Sequence, residues 1–191
     1  MGLPVRDDVP VIGIVSRLVT HKGFDLVKHV FEDMLQNDVQ FVILGSGDWE
    51  FETFFHSMAG KYPDKIGLKL GFIPALAHKI YAGADIFLMP SKSEPCGLAQ
   101  MIALRYGTIP IIRETGGLKD TVQDSGDNLG NGFTFKDYNA HDMAYAVQRA
   151  IMGYRNREGW NILVDRAMRC DNSWGKSANE YIKLYKEILG K

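Results

Sequence analysis

The sequence predicts an α/β fold, a doubly wound parallel sheet finished by carboxyl-terminal helices. Two observations lead there. Six short apolar, β-branched runs recur over the first 135 residues, and such runs suit strands buried on both faces, as in a parallel sheet. Between the runs lie segments with apolar residues at helical spacing, and β-α alternation of this kind builds a sheet wound in both directions. At 191 residues, 46% hydrophobic and 24% charged, the chain is long enough to bury one core without disulfides or metals.

The strands are VIGIV (11–15), VQFVILG (39–45), IGLKLGF (66–72), DIFLMP (85–90), TIPII (108–112) and GFTF (132–135). After the first comes an apolar stripe of Leu26, Val27, Val30, Phe31, Met34 and Leu35, a helix with one buried face. After the second, Phe51, Phe54, Phe55 and Met58 make another. ALAHKIYAGA and GLAQMIALRYG are shorter helices, with Gly83 and Gly107 placed to end them. Past Lys136 the pattern is helical only: AHDMAYAVQRAIMGYR, GWNILVDRAMR and WGKSANEYIKLYKEILG. The chain reads as one domain over 1–191, with 137–191 a helical appendage. In the last helix, apolar and aromatic residues from Trp174 to Leu189 wrap wider than the roughly 100° stripe one core contact needs.

Composition narrows the function. A formal net charge of −1 argues against a nucleic-acid or anionic-membrane partner. Two cysteines, Cys96 and Cys170, make no disulfide framework and fit a reducing cytoplasm. MGLPVRDDVP lacks the basic and apolar regions of a signal peptide. No apolar run is as long as the roughly 20 residues of a membrane span. The five histidines lie in no cluster with metal-ligand spacing, so no metal is expected. Neither a nucleophile elbow nor a Gly-Lys-Ser/Thr phosphate loop occurs.

In a doubly wound sheet, ligands bind beyond the carboxyl ends of the strands. The first end gives SRLVTHKG, with Arg17 and Lys22. A planar fork and a point charge leaving one strand suit a diphosphate, though two solvated surface cations would look the same. The second gives LGSGD, either a close-approach turn for a nucleotide or a tight turn with Asp48 as helix cap. It lacks the third glycine of the dinucleotide fingerprint. The third ends near Phe72, a stacking platform or a core residue. The fourth carries SEPCGLAQ. Here Glu94 stands at the crevice mouth, and the amides of Cys96, Gly97 and Leu98 precede a helix whose dipole favours negative charge. Alternatively, Glu94 caps that helix. Cys96 lacks a paired base and reads as a lining residue. The fifth, ETGGLKD, offers Thr115, Gly116 and Gly117 as an anion-binding nest.

Together VSRLVTHKGFDL, LGSGDWEFE, ADIFLMPSKSEPCGLAQMIALRYGTIPIIRETGGLKDTVQD and GNGFTF resemble the C-terminal domain of bacterial glycogen synthase and plant starch synthase, in order and spacing. The resemblance implies the Rossmann-like C-terminal half of a GT-B glycosyltransferase. It implies retaining transfer of glucose from ADP-glucose to the non-reducing end of an α-1,4-glucan. By motif, Arg17 and Lys22 match the pair on the diphosphate, and Glu94 matches the acid beside the transferred glucose. Cys96, Gly97 and Leu98 match the turn whose amides contact that glucose. Phe72 falls near adenine, and residues 115–117 near the phosphates. Ala99 stands where some relatives have Thr. Ile102 stands where the wider superfamily often has a second Glu, which leaves the ribose contact unassigned. TGGL at 115–118 follows Glu114 and so matches the C-terminal copy of a motif that also opens the family's amino-terminal domain. The expectation is an ADP-glucose-binding half that binds nucleotide without metal but does not elongate glucan, since the acceptor site lies mainly in the other half. Its last helix is expected to be exposed, frayed or self-associated. The competing expectations are a UDP-sugar transferase or epimerase on the same architecture, and a stand-alone nucleotide-sugar sensor.

Overall fold

The computed structural model describes residues 1–190. Six parallel strands form one sheet: β1 (Val11–Val15), β2 (Gln40–Gly45), β3 (Ile66–Leu70), β4 (Ile86–Met89), β5 (Ile109–Arg113) and β6 (Phe133–Phe135). Their spatial order is β3-β2-β1-β4-β5-β6. β1 pairs with β2, Ile12 opposite Phe41, and with β4, Ile12 opposite Ile86. The winding therefore reverses between β1 and β4, and that seam is where such sheets bind ligands.

Eight helices follow the strands: α1 (Phe24–Leu35), α2 (Trp49–Lys61), α3 (Pro74–Gly83), α4 (Ala99–Tyr106), α5 (Gly116–Thr121), α6 (Ala140–Arg155), α7 (Arg157–Met168) and α8 (Trp174–Ile188). α1 packs with α2 and α6, and α4 with α3 and α7, so the sheet is covered on both faces. The stripe seen in the sequence is the buried face of α1. Its Phe31 meets Phe55 at 5.5 Å and 86°, and Phe24 meets Phe55 at 5.8 Å and 89°. Edge-to-face pairs at such distances add about 0.5–1.5 kcal/mol each beyond area burial.

Several expectations need correction. The strands are shorter than the apolar runs: Phe72 and Pro90 lie outside β3 and β4. Gly107 ends α4 in the left-handed conformation (φ 80°), whereas Gly83 is helical and the extended Ala84 ends α3. Asp48 sits at the start of α2 without a side-chain cap; Glu52 reaches back to accept from the Gly47 N–H at 2.8 Å. The segment 137–191 is not wholly an appendage. Met143, Ala146, Val147, Ala150 and Ile151 of α6 and Trp160, Leu163 and Ala167 of α7 belong to the main core. Only α8 stands apart, with every described residue exposed, Trp174 at 90% and Ile188 at 72%. Among the described residues no helix is long and apolar enough to cross a membrane.

The loop between α5 and β6 is clipped shut by one carboxylate. Asp124 accepts both terminal nitrogens of Arg149 at 2.8 Å, the Thr134 N–H at 2.7 Å and the Gly126 N–H at 2.9 Å. Burial acts to raise its pKa, but these donors outweigh burial and hold it at about 2. A carboxyl depressed on folding stabilises the protein above its unfolded pKa near 4, and that contribution disappears as pH falls towards the folded value. Because Asp124 remains 31% exposed, the expected contribution is on the order of 1 kcal/mol. Urea unfolding at pH 5 and pH 2.5 should show this loss, and Asp124→Asn should be less stable at pH 5 and lack this part of the decline. A wild-type decline matched in full by the variant would contradict it.

Candidate functional site

Three loops meet at the carboxyl end of the sheet, beside the β1–β4 seam. The β1 loop makes a single 3-10 turn over Thr20–Lys22, ended by Gly23 at φ 84°. Gly23 presses on the β4 loop so closely that a Cβ there would lie 2.1 Å from the Pro90 carbonyl oxygen. The Lys92 N–H donates to the His21 carbonyl at 2.9 Å. The β5 loop docks from the other side. A Cβ at Gly116 would lie 2.1 Å from the Glu94 carbonyl oxygen, and one at Gly117 2.6 Å from the Cys96 Cα. Only residues without side chains allow such approach.

This docking joins Lys22 to Glu94. The ammonium donates to the carboxylate, which also accepts from the hydroxyl of fully buried Ser91 at 3.2 Å. The two charged side chains are 16% and 13% exposed. Glu94 makes no helix cap: its carboxylate turns to Lys22, and Leu98 is the residue that precedes α4. Among the described residues, nothing accepts from the backbone N–H groups of Cys96, Gly97 or Leu98. The second glycine turn differs. The Thr115 N–H donates to Arg113 O at 2.8 Å and the Gly117 N–H to Pro95 O at 3.3 Å. Of the expected nest only the Gly116 amide stays unengaged among the described residues, because Gly117 holds the first turn in place.

Arg17 is exposed, and among the described residues no carboxylate or carbonyl pairs with its guanidinium. It lines a cleft of about 450 Å³ with Phe72, Val15, Gly45, Ser46 and Ile73. Phe72 is 91% exposed, which removes the core reading and leaves an aromatic face on the cleft wall. A cleft of similar size, about 460 Å³, lies under α8 between Met101 and Leu184 and contains none of the candidate residues. Among the described residues no group of three or more His, Cys, Asp or Glu side chains could hold a metal ion. Cys96 is exposed, and Cys170 is half-buried.

Supporting residues are also absent from the motif reading. Arg113, at the end of β5, donates from Nε to Ser91 O at 3.1 Å, from one terminal nitrogen to Lys136 O at 3.3 Å and from the other to Lys92 O. The Tyr138 ring lies 5.4 Å from the Lys92 ammonium and 5.6 Å from the Arg113 guanidinium. Its hydroxyl donates to Asp25. Burial, then Asp25, push the Tyr138 pKa up, so this donor stays protonated at physiological pH. The only sequence signal for Arg113 was a cation closing an apolar strand. Tyr138 gave none.

The family model described as glycosyl transferases group 1 matches residues 2–161, and the chain belongs to that family. It is 57% identical over 192 aligned residues to a glycogen synthase of Geobacillus thermodenitrificans, covering all of this chain and 40% of that protein. To a glycogen synthase of Desulforamulus reducens it is 55% identical, covering 98% of this chain and 39% of the other. The chain thus spans about 40% of the length of these curated relatives. Among solved structures, the catalytic domain of starch synthase IV from Arabidopsis thaliana, bound to ADP and acarbose, superposes with a TM-score of 0.88 at 40% identity, over all of this chain and 41% of that one. Sucrose-phosphate synthase from Thermosynechococcus elongatus, at 22% identity and a TM-score of 0.68 over 97% of this chain and 47% of its own, shares the fold. The architecture is the Rossmann-like domain of a GT-B glycosyltransferase, as the motifs implied.

The Lys22–Glu94 pair gives a stability test. Lys22→Met strands a mostly buried carboxylate, which should cost about 2–4 kcal/mol, because a lone buried charge is destabilising. Lys22→Met with Glu94→Gln removes that charge and should cost less than Lys22→Met alone. Urea midpoints of the two variants decide it; a double variant no more stable than the single one would mean the pair is solvated.

Proposed function

We propose that this member of the glycosyl transferases group 1 family is the ADP-glucose-binding part of a cytoplasmic glycogen or starch synthase, which adds glucose with retention to the non-reducing end of an α-1,4-glucan. The observation that carries the reading is the Lys22–Glu94 pair together with the Arg17–Phe72 cleft, both reached from the β1 loop, in a chain 57% identical along its whole length to a glycogen synthase. The ADP and acarbose bound to the starch synthase IV domain support the choice of nucleotide and glucan.

In this reading adenine lies in the Arg17–Phe72 cleft, where the exposed ring offers a stacking face. The diphosphate meets Arg17 and Lys22, and glucose lies against Glu94 and the free amides of Cys96, Gly97 and Leu98. As the bond from the anomeric carbon to the phosphate oxygen breaks, negative charge grows on ADP and positive charge on the sugar ring. Arg17 and Lys22 balance the first in place of a metal. The Glu94 carboxylate opposes the second, an interaction stronger in the transition state than before it. Lys22 touches Glu94 already, so one ammonium bridges both charges. Positioning the acceptor and excluding water need a facing surface, and positioning alone is worth several orders of magnitude in rate. The chain by itself therefore binds nucleotide without elongating glucan.

Calorimetric titration tests the reading. ADP should bind with chelator present. Arg17→Ala should lose about 1.5–3 kcal/mol of binding free energy, the scale of charge-assisted hydrogen bonds. Glu94→Gln should leave ADP affinity intact or raise it, by releasing Lys22. A stronger heat signal with UDP and UDP-glucose would move the chain to the UDP-sugar transferases, and an unchanged Arg17→Ala affinity would return Arg17 to a surface role.

The exposed face of α8, with Trp174, Tyr185 and Ile188, fits the same reading: so much apolar surface calls for a covering partner, whether another part of a longer enzyme or another copy of the chain. Sedimentation of this chain with and without residues 173–191 should show concentration-dependent association that the deletion removes. A monomer at all concentrations would count against self-association.

A further inference from the structure

The helix α4 contains a polar residue that the motif reading passed over. Gln100 is fully buried. Its side-chain nitrogen lies 3.2 Å from the Cys96 carbonyl oxygen, 2.9 Å from that of Gly97 and 3.1 Å from the Thr121 hydroxyl on α5. Thr121 in turn donates to the Gly117 carbonyl at 3.0 Å. Three acceptors around one end of the amide identify that end as nitrogen. The other end, Oε1, is buried without a hydrogen-bond partner. Leaving a polar atom so is unfavourable, and an apolar side chain of the same size would avoid it. The glutamine is thus there for its donors.

Those donors orient the turn. All peptide bonds here are trans, so each planar unit points its N–H opposite to the preceding carbonyl. The Pro95 carbonyl is held inward by the Gly117 N–H, and those of Cys96 and Gly97 by Gln100. Three successive peptide planes are thereby fixed, and the N–H groups of Cys96, Gly97 and Leu98 face away from the anchors. Gly97 takes φ 79°, where a Cβ would meet Gln100 Oε1 at 2.4 Å. The bend therefore brings the backbone down onto the glutamine.

We propose that Gln100 is a positioning residue for sugar binding: by drawing two carbonyls inward, it aims and stiffens the amides of Cys96, Gly97 and Leu98 that receive the hexose of the donor. The proposal rests on the function put forward above for the nucleotide-sugar site. It assigns specificity for the sugar end, as against the nucleotide end, to a side chain that touches neither. Pre-set donors lose little freedom on binding, whereas a loose turn must be ordered by the ligand.

The test uses this chain, wild type and Gln100→Met, which keeps the length of the side chain and removes its donors. Without ligand, ¹⁵N relaxation should give wild-type order parameters for residues 96–98 near the rigid-backbone value of about 0.85, falling towards about 0.6 in the variant while the strands stay unchanged. With ligand, the variant should lose roughly three- to tenfold in ADP-glucose affinity, the scale of one or two hydrogen bonds, and less than about twofold in ADP affinity. A turn already mobile in the wild type, an equally rigid turn in the variant, or equal losses for both ligands would overturn the proposal. The wild-type order parameters decide the point even if the variant does not fold. If the wild type bound neither ligand, the function proposed above would fall, and with it the sugar-binding role; the relaxation data would still show whether Gln100 holds the turn.

Discussion

Backbone meets backbone at the end of this sheet, and the candidate site depends on that contact. Gly23 lies against the Pro90 carbonyl, and Gly116 and Gly117 against the carbonyl of Glu94 and the Cα of Cys96. A methyl group at any of the three would overlap a main-chain atom that cannot rotate away. The closeness also supplies the hydrogen bonds from Lys92 to His21 and from Gly117 to Pro95. Lys22 and Glu94 leave different strands, and they form a mostly buried pair because the loops beneath them touch. The second glycine turn is chiefly a structural seat for the first, which explains why the sequence repeats the device one strand later.

Around that contact the polar groups are arranged in layers. Lys22, Glu94 and the amides of 96–98 face the crevice. Beneath them Ser91 donates to the Glu94 carboxylate, and Gln100 and Arg113 bind the main chain of the same loops. Further out, Tyr138 ties Lys92 and Arg113 to Asp25 on α1. Most of these inner bonds run to carbonyl oxygens, so they fix loop shape while leaving N–H groups turned outward. A site assembled this way presents donors, which suits ligands rich in oxygen.

The sequence exposed this design unevenly. The strands and the long helices were legible because buried parallel strands and one-sided helices leave periodic patterns, as in Val11–Val15 and Phe24–Leu35. The strand-end residues were legible because a doubly wound sheet has one binding edge and the motifs fall on it. Contacts across the chain were not. Nothing local to Lys22 says that it meets Glu94, and Gln100 reads as an ordinary residue of an amphipathic helix. Thr115 and Gly117 looked like free donors because a motif names residues and not the partners of their amides. Gly83 failed as a helix end since Ala84 turns straight into an extended conformation, with no left-handed step required. The segment after Lys136 looked separable because it has no strands, yet α6 and α7 supply one shoulder of the core on each face of the sheet.

The reversal of winding at β1 also bears on how the chain reaches this state. β1 lies in the middle of the sheet, and one of its edges is satisfied early by β2, its neighbour in sequence. The other waits for β4, after β3 and two further helices have formed. Such distant pairings close slowly, because loop entropy is lost before the contact rewards it. Until β4 docks, the Val11–Val15 run is an unpaired apolar edge, open to strands of other chains. Lys22 and Glu94 come together only when that edge is covered. Covering that edge and bringing Lys22 to Glu94 are thus parts of one closure, since both need the β4 end of the chain laid beside β1.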